Sequence, residues 1–248
     1  MNLQEYYNMF KATITSNIDE SLKDTHPYNE YLGKNKAFCD EYEKWLNVLD
    51  GRIETYIYRN AIKAYQEAYV NMLMGLYQPA FMGLRYFLER TLMGVYFSAS
   101  EIEMRTWKVG NRDTYWSELV GIEEKEGKQV NSGNDVNKGL YSTKFTRAFF
   151  KEFDTIRLNF LQQTKAVYRE CSEYVHGNPG AIDKLGDKFE YKEELADAWN
   201  NNADTVARCI LYAFMMRYWN DLTTDQKDNV RDRLYDEFSS TDTIKDFL

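Results

Sequence analysis

Long stretches of apolar residues at helical spacing constrain this chain more than any other feature. Between residues 52 and 77 the apolar side chains recur three or four positions apart, as Tyr58, Ile62, Tyr65, Tyr69, Met72 and Leu76. That period places them on one face of an α-helix. The 248 residues include only three prolines, so few positions interrupt a helix. No run of alternating β-branched residues between tight turns predicts a hairpin. The sequence therefore predicts an all-α protein built as a multi-helix bundle.

The same periodicity predicts where the helices lie. We expect helices over residues 3–22, 34–49, 52–77, 80–98, 143–175, 191–219 and 224–238, with an interruption near Asp154. Residues 80–98 are apolar on nearly all sides, which predicts a central helix that begins at Pro79. We expect one domain over residues 1–248. Within it, the polar, glycine-containing segment 123–144 is predicted to be a mobile loop.

Charge and cysteine content exclude several classes of protein. The net charge of −8 disfavours nonspecific nucleic-acid binding, although it does not exclude a local basic patch. Three widely spaced cysteines contain no CxxC pair, which excludes a zinc ribbon and fits reduced thiols in a cytoplasm. Segment 79–99 approaches the length of a membrane span, but it carries Arg85, Glu89 and Arg90 near its middle. Charges there are costly in lipid, so we interpret the segment as a protein helix in a cytoplasmic chain with no membrane association.

His176 is the first candidate functional residue, because the chain has only two histidines. It follows Arg169 by seven positions, and Gly177 comes directly after it. On a helix, residues seven apart differ by roughly 20° and lie about 10 Å apart along the axis. Arg169 and His176 would thus share a face without touching. Ser172 and Glu173 are the close helical neighbours of His176. A structural alternative is a histidine near a helix C-terminus, where a positive charge suits the dipole, followed by a glycine cap.

An arginine followed within a few residues by a histidine, at the end of a helix in an all-α protein, resembles the HEPN superfamily of helical ribonucleases. The resemblance rests on Arg169 and His176, with Gly177 as a softer match, and covers about residues 144–178. The residue after Arg169 is the acidic Glu170, where the family tends to place Asn, Asp or His. The resemblance implies a HEPN-like fold and a metal-independent endoribonuclease that serves as a toxin or antiphage defence effector. It implies that His176 is the general acid or base and that Arg169 stabilises the phosphorane.

A second candidate cluster is Arg85 and Glu89, four residues apart on the predicted central helix. A buried unpaired charge costs several kcal/mol, roughly, so these two should be satisfied by each other or by a third polar group. The candidates for the third group are Ser172, Glu173 and His176. A structural ion pair is the favoured interpretation. An Arg-xxx-Glu on a core helix that faces the Ser172–His176 helix is similar to helical defence proteins of abortive-infection families.

Cofactor and metal sites are not indicated. Glu173 and His176 match half of a di-iron motif, but such a site needs a second Glu-x-x-His, and His26 has Lys23 three residues before it. We therefore expect no metal and no cofactor.

The expected partners are RNA, bound by a homodimer with a composite site, or a protein. The alternative function is a non-catalytic interaction module of a multi-component defence system.

Overall fold

Helices make up nearly all of the ordered secondary structure of this chain. The computed structural model describes residues 2–23, 28–121 and 138–248, and these contain no β-strand. Their helices are α1 (Leu3–Ser21), α2 (Tyr28–Val48), α3 (Thr55–Leu73), α4 (Tyr77–Phe97), α5 (Glu101–Lys108), α6 (Trp116–Val120), α7 (Thr143–Phe150), α8 (Arg157–His176), α9 (Pro179–Leu185), α10 (Glu193–Tyr218), α11 (Thr224–Phe238) and α12 (Asp242–Lys245). Short 3-10 helices cover Lys151–Thr155 and Trp219–Asp221. The prediction of an all-α, multi-helix protein is confirmed.

Local capping explains several of the helix boundaries. The side chain of Thr223 accepts a hydrogen bond from the backbone N–H of Gln226, and Gln226 reciprocates at Thr223, which forms a capping box at the start of α11. Helix α11 has the predicted bounds. Helix α4 begins at Tyr77, so Pro79 is its third residue rather than its first. A proline is still tolerated there, because the first turn has no intrahelical acceptor for its N–H groups.

Helices α4 and α10 form the centre of the molecule. Helix α4 packs against α3, α8 and α10, and α10 packs in addition against α2 and α7. Nearly every side chain of the second half of α10 is buried, from Val206 to Tyr218. The buried apolar residues of the described segments form one cluster that extends from Phe38 to Ile244. A single domain over residues 1–248 stays a prediction.

Most of the predicted loop at 123–144 lies outside the described residues, which resume at Lys138. The end of that segment is packed, since Leu140 and Tyr141 are buried and α7 begins at Thr143. The predicted interruption near Asp154 is present as the 3-10 helix Lys151–Thr155. Asp154 accepts hydrogen bonds of 2.7 Å from Nε of both Arg147 and Arg157 and so links α7 to α8.

Two glycines allow α3 and α4 to approach each other closely. At Gly83, an added Cβ would lie 2.8 Å from Cβ of Ala68. At Gly94, it would lie 3.0 Å from two ring carbons of Tyr58 and nearer still to a third. Real Cβ atoms do not approach other carbons at such distances, so this contact between the helices depends on glycine. The position of α4 against α3 also determines what its opposite face, with Arg85 and Glu89, presents to α8.

Candidate functional site

The C-terminal end of α8 is built by the glycine that follows it. His176 is the last helical residue, and Gly177 adopts the left-handed conformation with φ of 61°. The backbone N–H groups of Gly177 and Asn178 both donate to the carbonyl oxygen of Glu173, in the second case at 3.0 Å. A positive φ costs a glycine little, which is why glycine ends the helix here. The predicted helix end and glycine cap are therefore present.

Arg169 and His176 lie on the solvent-facing side of α8, and both are exposed. The opposite side of the helix is buried in the core through Phe160, Leu161, Thr164, Val167, Cys171 and Tyr174. Within the described part of the chain, neither side chain has a hydrogen bond or an ion pair. Seven residues of helix separate them by about 10 Å along the axis. The fold thus presents both residues on one face but does not bring them into contact.

Ser172 and Glu173 interact with their own helix and its cap. The hydroxyl of Ser172 donates to the carbonyl oxygen of Tyr168 at 2.6 Å, and the Glu173 carboxylate accepts a hydrogen bond from the amide of Asn178. Neither residue is bonded to Arg85 or Glu89. The expectation that Ser172, Glu173 or His176 supplies the third polar group beside that pair is therefore wrong for the described contacts.

Tyr168 supplies the third polar group beside Arg85 and Glu89. Arg85 and Glu89 form an ion pair of 3.4 Å across one turn of α4. Nη2 of Arg85 donates to the Tyr168 hydroxyl at 2.6 Å, and that hydroxyl donates to Oε1 of Glu89 at 2.8 Å. Burial, followed by the adjacent Glu89 carboxylate, raises the pKa of Tyr168 to about 12. Tyr168 therefore keeps its proton at neutral pH and acts as a neutral donor to Glu89.

The ion pair is only partly buried. The side chain of Arg85 is 19% exposed and that of Glu89 is 32% exposed. The expectation that the two charges are buried is corrected to a position at the edge of the α4–α8 interface, where the carboxylate is partly exposed to solvent. Arg85 is also held by the ring of Tyr168, whose centroid lies 4.4 Å from its guanidinium carbon. Its Nη1 atom is buried and has no acceptor among the residues that the structure describes.

Trp116 completes this cluster from a distant part of the sequence. Its ring stacks on that of Tyr168 with centroids 3.7 Å apart and planes 7° from parallel. We define the α4–α8 cluster as Arg85, Glu89, Trp116 and Tyr168. The helical period places Tyr168 and Ser172 on the same face of α8, one turn apart. It does not indicate which of the two contacts Arg85. Nothing in the local sequence connects Trp116 to Tyr168, because Tyr168 lies 52 positions beyond Trp116.

The three cysteines are free thiols, as predicted from their spacing. Burial raises the pKa of Cys171 and of Cys209 to about 12 and that of Cys39 to about 11. A thiol with such a pKa stays protonated near neutral pH and is a poor nucleophile. We therefore assign these cysteines to packing and not to chemistry.

The described residues contain no group of three or more His, Cys, Asp or Glu side chains that could hold a metal ion. His26 lies outside these residues. Among the described helices, none is both long enough and apolar enough to cross a membrane.

The comparisons with known proteins do not extend this description. No protein-family model matches the chain, and searches of curated proteins and of solved structures give no match. The resemblance to HEPN proteins therefore rests on Arg169, His176 and the helix end alone.

Proposed function

We propose that this protein is a metal-independent endoribonuclease of the HEPN type that acts as a toxin or antiphage defence effector. Arg169 and His176 would form its site across a homodimer. One observation supports the proposal most: both side chains are exposed on one face of α8 and have no partner within the described residues. Side chains in this state are available to a substrate or to a second copy of the chain.

The proposed chemistry follows from the two residue types. His176 removes the proton from an RNA 2′-hydroxyl, which attacks the adjacent phosphate, and a protonated imidazole then returns a proton to the leaving 5′-oxygen. The products are a 2′,3′-cyclic phosphate and a 5′-hydroxyl. Arg169 stabilises the charge that develops on the phosphorane, because a guanidinium donates two parallel hydrogen bonds to phosphate oxygens. Since about 10 Å of helix separates the two residues in one chain, Arg169 of one copy would act with His176 of the other.

RNA cleavage in the presence of EDTA tests this proposal. Purified wild-type protein is expected to cleave total RNA, whereas His176→Ala and Arg169→Ala are expected to be inactive. Gln162→Ala, which changes another exposed residue of α8, serves as the matched control and should keep full activity. Cleavage that persists in His176→Ala would place the chemistry elsewhere.

Mixing the two inactive variants tests the composite site. A heterodimer of Arg169→Ala and His176→Ala chains contains one site with both residues intact, so partial activity should return. Size-exclusion chromatography with light scattering should show a dimer under the same conditions. A protein that is monomeric and active would contradict the composite site.

A second candidate function is a non-catalytic interaction module. The first turns of α1 favour it, because Leu3, Tyr6, Tyr7 and Met9 are 74%, 40%, 60% and 51% exposed. Exposed apolar side chains on one helix are typical of a surface that binds another protein. No cleavage by the wild type, across cellular RNA and with activators present, would favour this function.

The charges beside His176 do not separate the two functions. We expect a basic surface for RNA and an apolar or acidic surface for a protein partner. The charged residues in the last three turns of α8 are Arg169, Glu170 and Glu173, and their net charge of −1 is too small to favour either surface. The cleavage experiment therefore decides between the functions.

A further inference from the structure

A small cleft opens beside the α4–α8 cluster, between α4 and the start of α6. Its volume is about 90 Å³, and Glu89, Arg90, Tyr115 and Trp116 contribute to its lining. In the same measure a single water molecule needs about 10–15 Å³. Cofactor and drug-sized ligands occupy roughly 300–1,000 Å³. The cleft can therefore hold one ring-sized group but not a whole cofactor.

Arg90 lines this cleft and carries hydrogen-bond donors that mostly have no partner among the described residues. Within the described residues it has no carboxylate partner. Its Nη1 atom contacts the thioether sulfur of Met93 at 3.6 Å, and a thioether is a weak acceptor. The guanidinium carbon lies 4.9 Å from the ring centroid of Tyr86 and 5.9 Å from that of Trp107, which holds it in place. Arg90 is thus a positioned cation whose donors are mostly free.

Glu89 brings a hydrogen-bond acceptor to the same cleft. Arg85 and Tyr168 both direct their hydrogen bonds to its Oε1 atom. Neither bond uses Oε2, and the side chain is 32% exposed. A ligand can therefore donate to Oε2 without displacing Arg85 or Tyr168.

Flat aromatic side chains line the cleft next to these charges. Tyr115 is 68% exposed, and no ring contact is found for it among the described residues. Trp116 is held by its stacking on Tyr168. An exposed ring beside a fixed donor and a fixed acceptor is a combination that suits a planar ligand with polar edges.

We propose that this cleft binds a single nucleobase of an RNA strand, specifically a base with an exocyclic amino group. The amino group donates to Oε2 of Glu89, Arg90 donates to the neighbouring ring nitrogen or carbonyl oxygen, and Tyr115 stacks on the base. Adenine, cytosine and guanine each place an amino group next to an acceptor, whereas uracil has no amino group. The inference rests on the proposed function, since it names the substrate group that a ribonuclease would hold next to the α4–α8 cluster. An arginine side chain of a protein partner fits less well, because Arg90 would repel it.

Oligonucleotide binding in the His176→Ala background, where cleavage is absent, tests the cleft separately from catalysis. Fluorescence anisotropy is measured with labelled A8, C8 and U8 oligoribonucleotides. We expect A8 and C8 to bind about ten-fold more tightly than U8, and Tyr115→Ala to weaken A8 binding about ten-fold. Arg90→Ala should weaken binding of all three oligonucleotides, since each base offers an acceptor, whereas Glu89→Gln should reduce the preference for A8 and C8 over U8, because the carboxylate accepts from the amino group. Tyr235→Ala, at a 47% exposed tyrosine of α11, is the control and should bind as the parent does.

The outcomes separate this inference from the proposed function. Equal affinities for the three oligonucleotides, or A8 binding that Tyr115→Ala leaves unchanged, would overturn the nucleobase site even if the wild type cleaves RNA. A8 binding that depends on Tyr115 and Arg90 would support the site even if the wild type has no ribonuclease activity. Circular dichroism of Tyr115→Ala should match the parent, because this side chain is 68% exposed and not part of the core cluster.

Discussion

Replacing Gly94 with alanine tests the close approach of α3 and α4. Gly94 lies in α4 opposite Tyr58 of α3. An added Cβ would lie 3.0 Å from Cδ1 and Cζ of Tyr58 and still closer to Cε1. Because these are carbon–carbon distances, either the ring or one of the helices would have to move.

Tyr58 has little freedom to move. Its side chain is fully buried, and its hydroxyl forms a hydrogen bond of 2.7 Å with the hydroxyl of Tyr218. Its ring packs edge-on against Phe214 at 5.0 Å between centroids. Overpacking typically costs about 1–3 kcal/mol and occasionally more, whereas alanine gains about 1 kcal/mol over glycine in a helix. With the ring held on two sides we expect a cost above the usual range, so the net loss in the free energy of unfolding should be about 2 kcal/mol or more.

Urea unfolding followed by circular dichroism at 222 nm measures this difference. Gly33→Ala is the matched control, because Gly33 lies in α2 and an added Cβ there meets no described atom within 4 Å. It should stabilise the protein by up to about 1 kcal/mol through helix propensity alone. If Gly94→Ala is as stable as the wild type, α3 and α4 do not pack as closely as described and the reasoning is refuted.

Two further predictions concern partly and fully buried carboxylates. Glu89→Ala should lower the free energy of unfolding by about 1–2 kcal/mol in urea titrations. This is less than for a fully buried pair, because Glu89 is partly exposed and Tyr168 still binds Arg85. A loss above about 3 kcal/mol would show that the pair is fully desolvated. Burial raises the pKa of Glu41 from 4.5 to about 7, while Lys44 and Arg233 partly oppose the rise. Because the folded state then binds this proton more tightly than the unfolded chain, wild-type stability attributable to Glu41 should fall between about pH 4.5 and 7. Glu41→Gln should lose this dependence and be the more stable protein at pH 8, and parallel stability curves for the two proteins would contradict the shift.

The longer helices of this protein were predictable because their signals are local, whereas the short helices α5, α6, α9 and α12 were not predicted. Helix α11 has the predicted bounds, Thr224–Phe238, and the capping box of Thr223 and Gln226 lies within four residues of sequence. The end of α8 was also predictable, since a glycine that follows an amphipathic stretch takes the left-handed conformation at little cost. The exposure of Arg169 and His176 on one face follows from the same 3.6-residue period.

The partners of Arg85 and Glu89 were decided by tertiary structure. Their spacing of four predicted the ion pair, but the residue that bridges it is Tyr168, 79 positions beyond Glu89. The helical period restricts which side of α8 faces α4, but it does not determine how far α8 is shifted along α4. That shift depends on how the side chains of both helices fill the space between them, and it places Tyr168, not Ser172, opposite Arg85. The stacking of Trp116 on Tyr168 likewise depends on where the segment after α5 returns to the bundle. Periodicity therefore determined the long helices and their faces, whereas side-chain packing between distant segments determined which polar groups meet at the candidate sites.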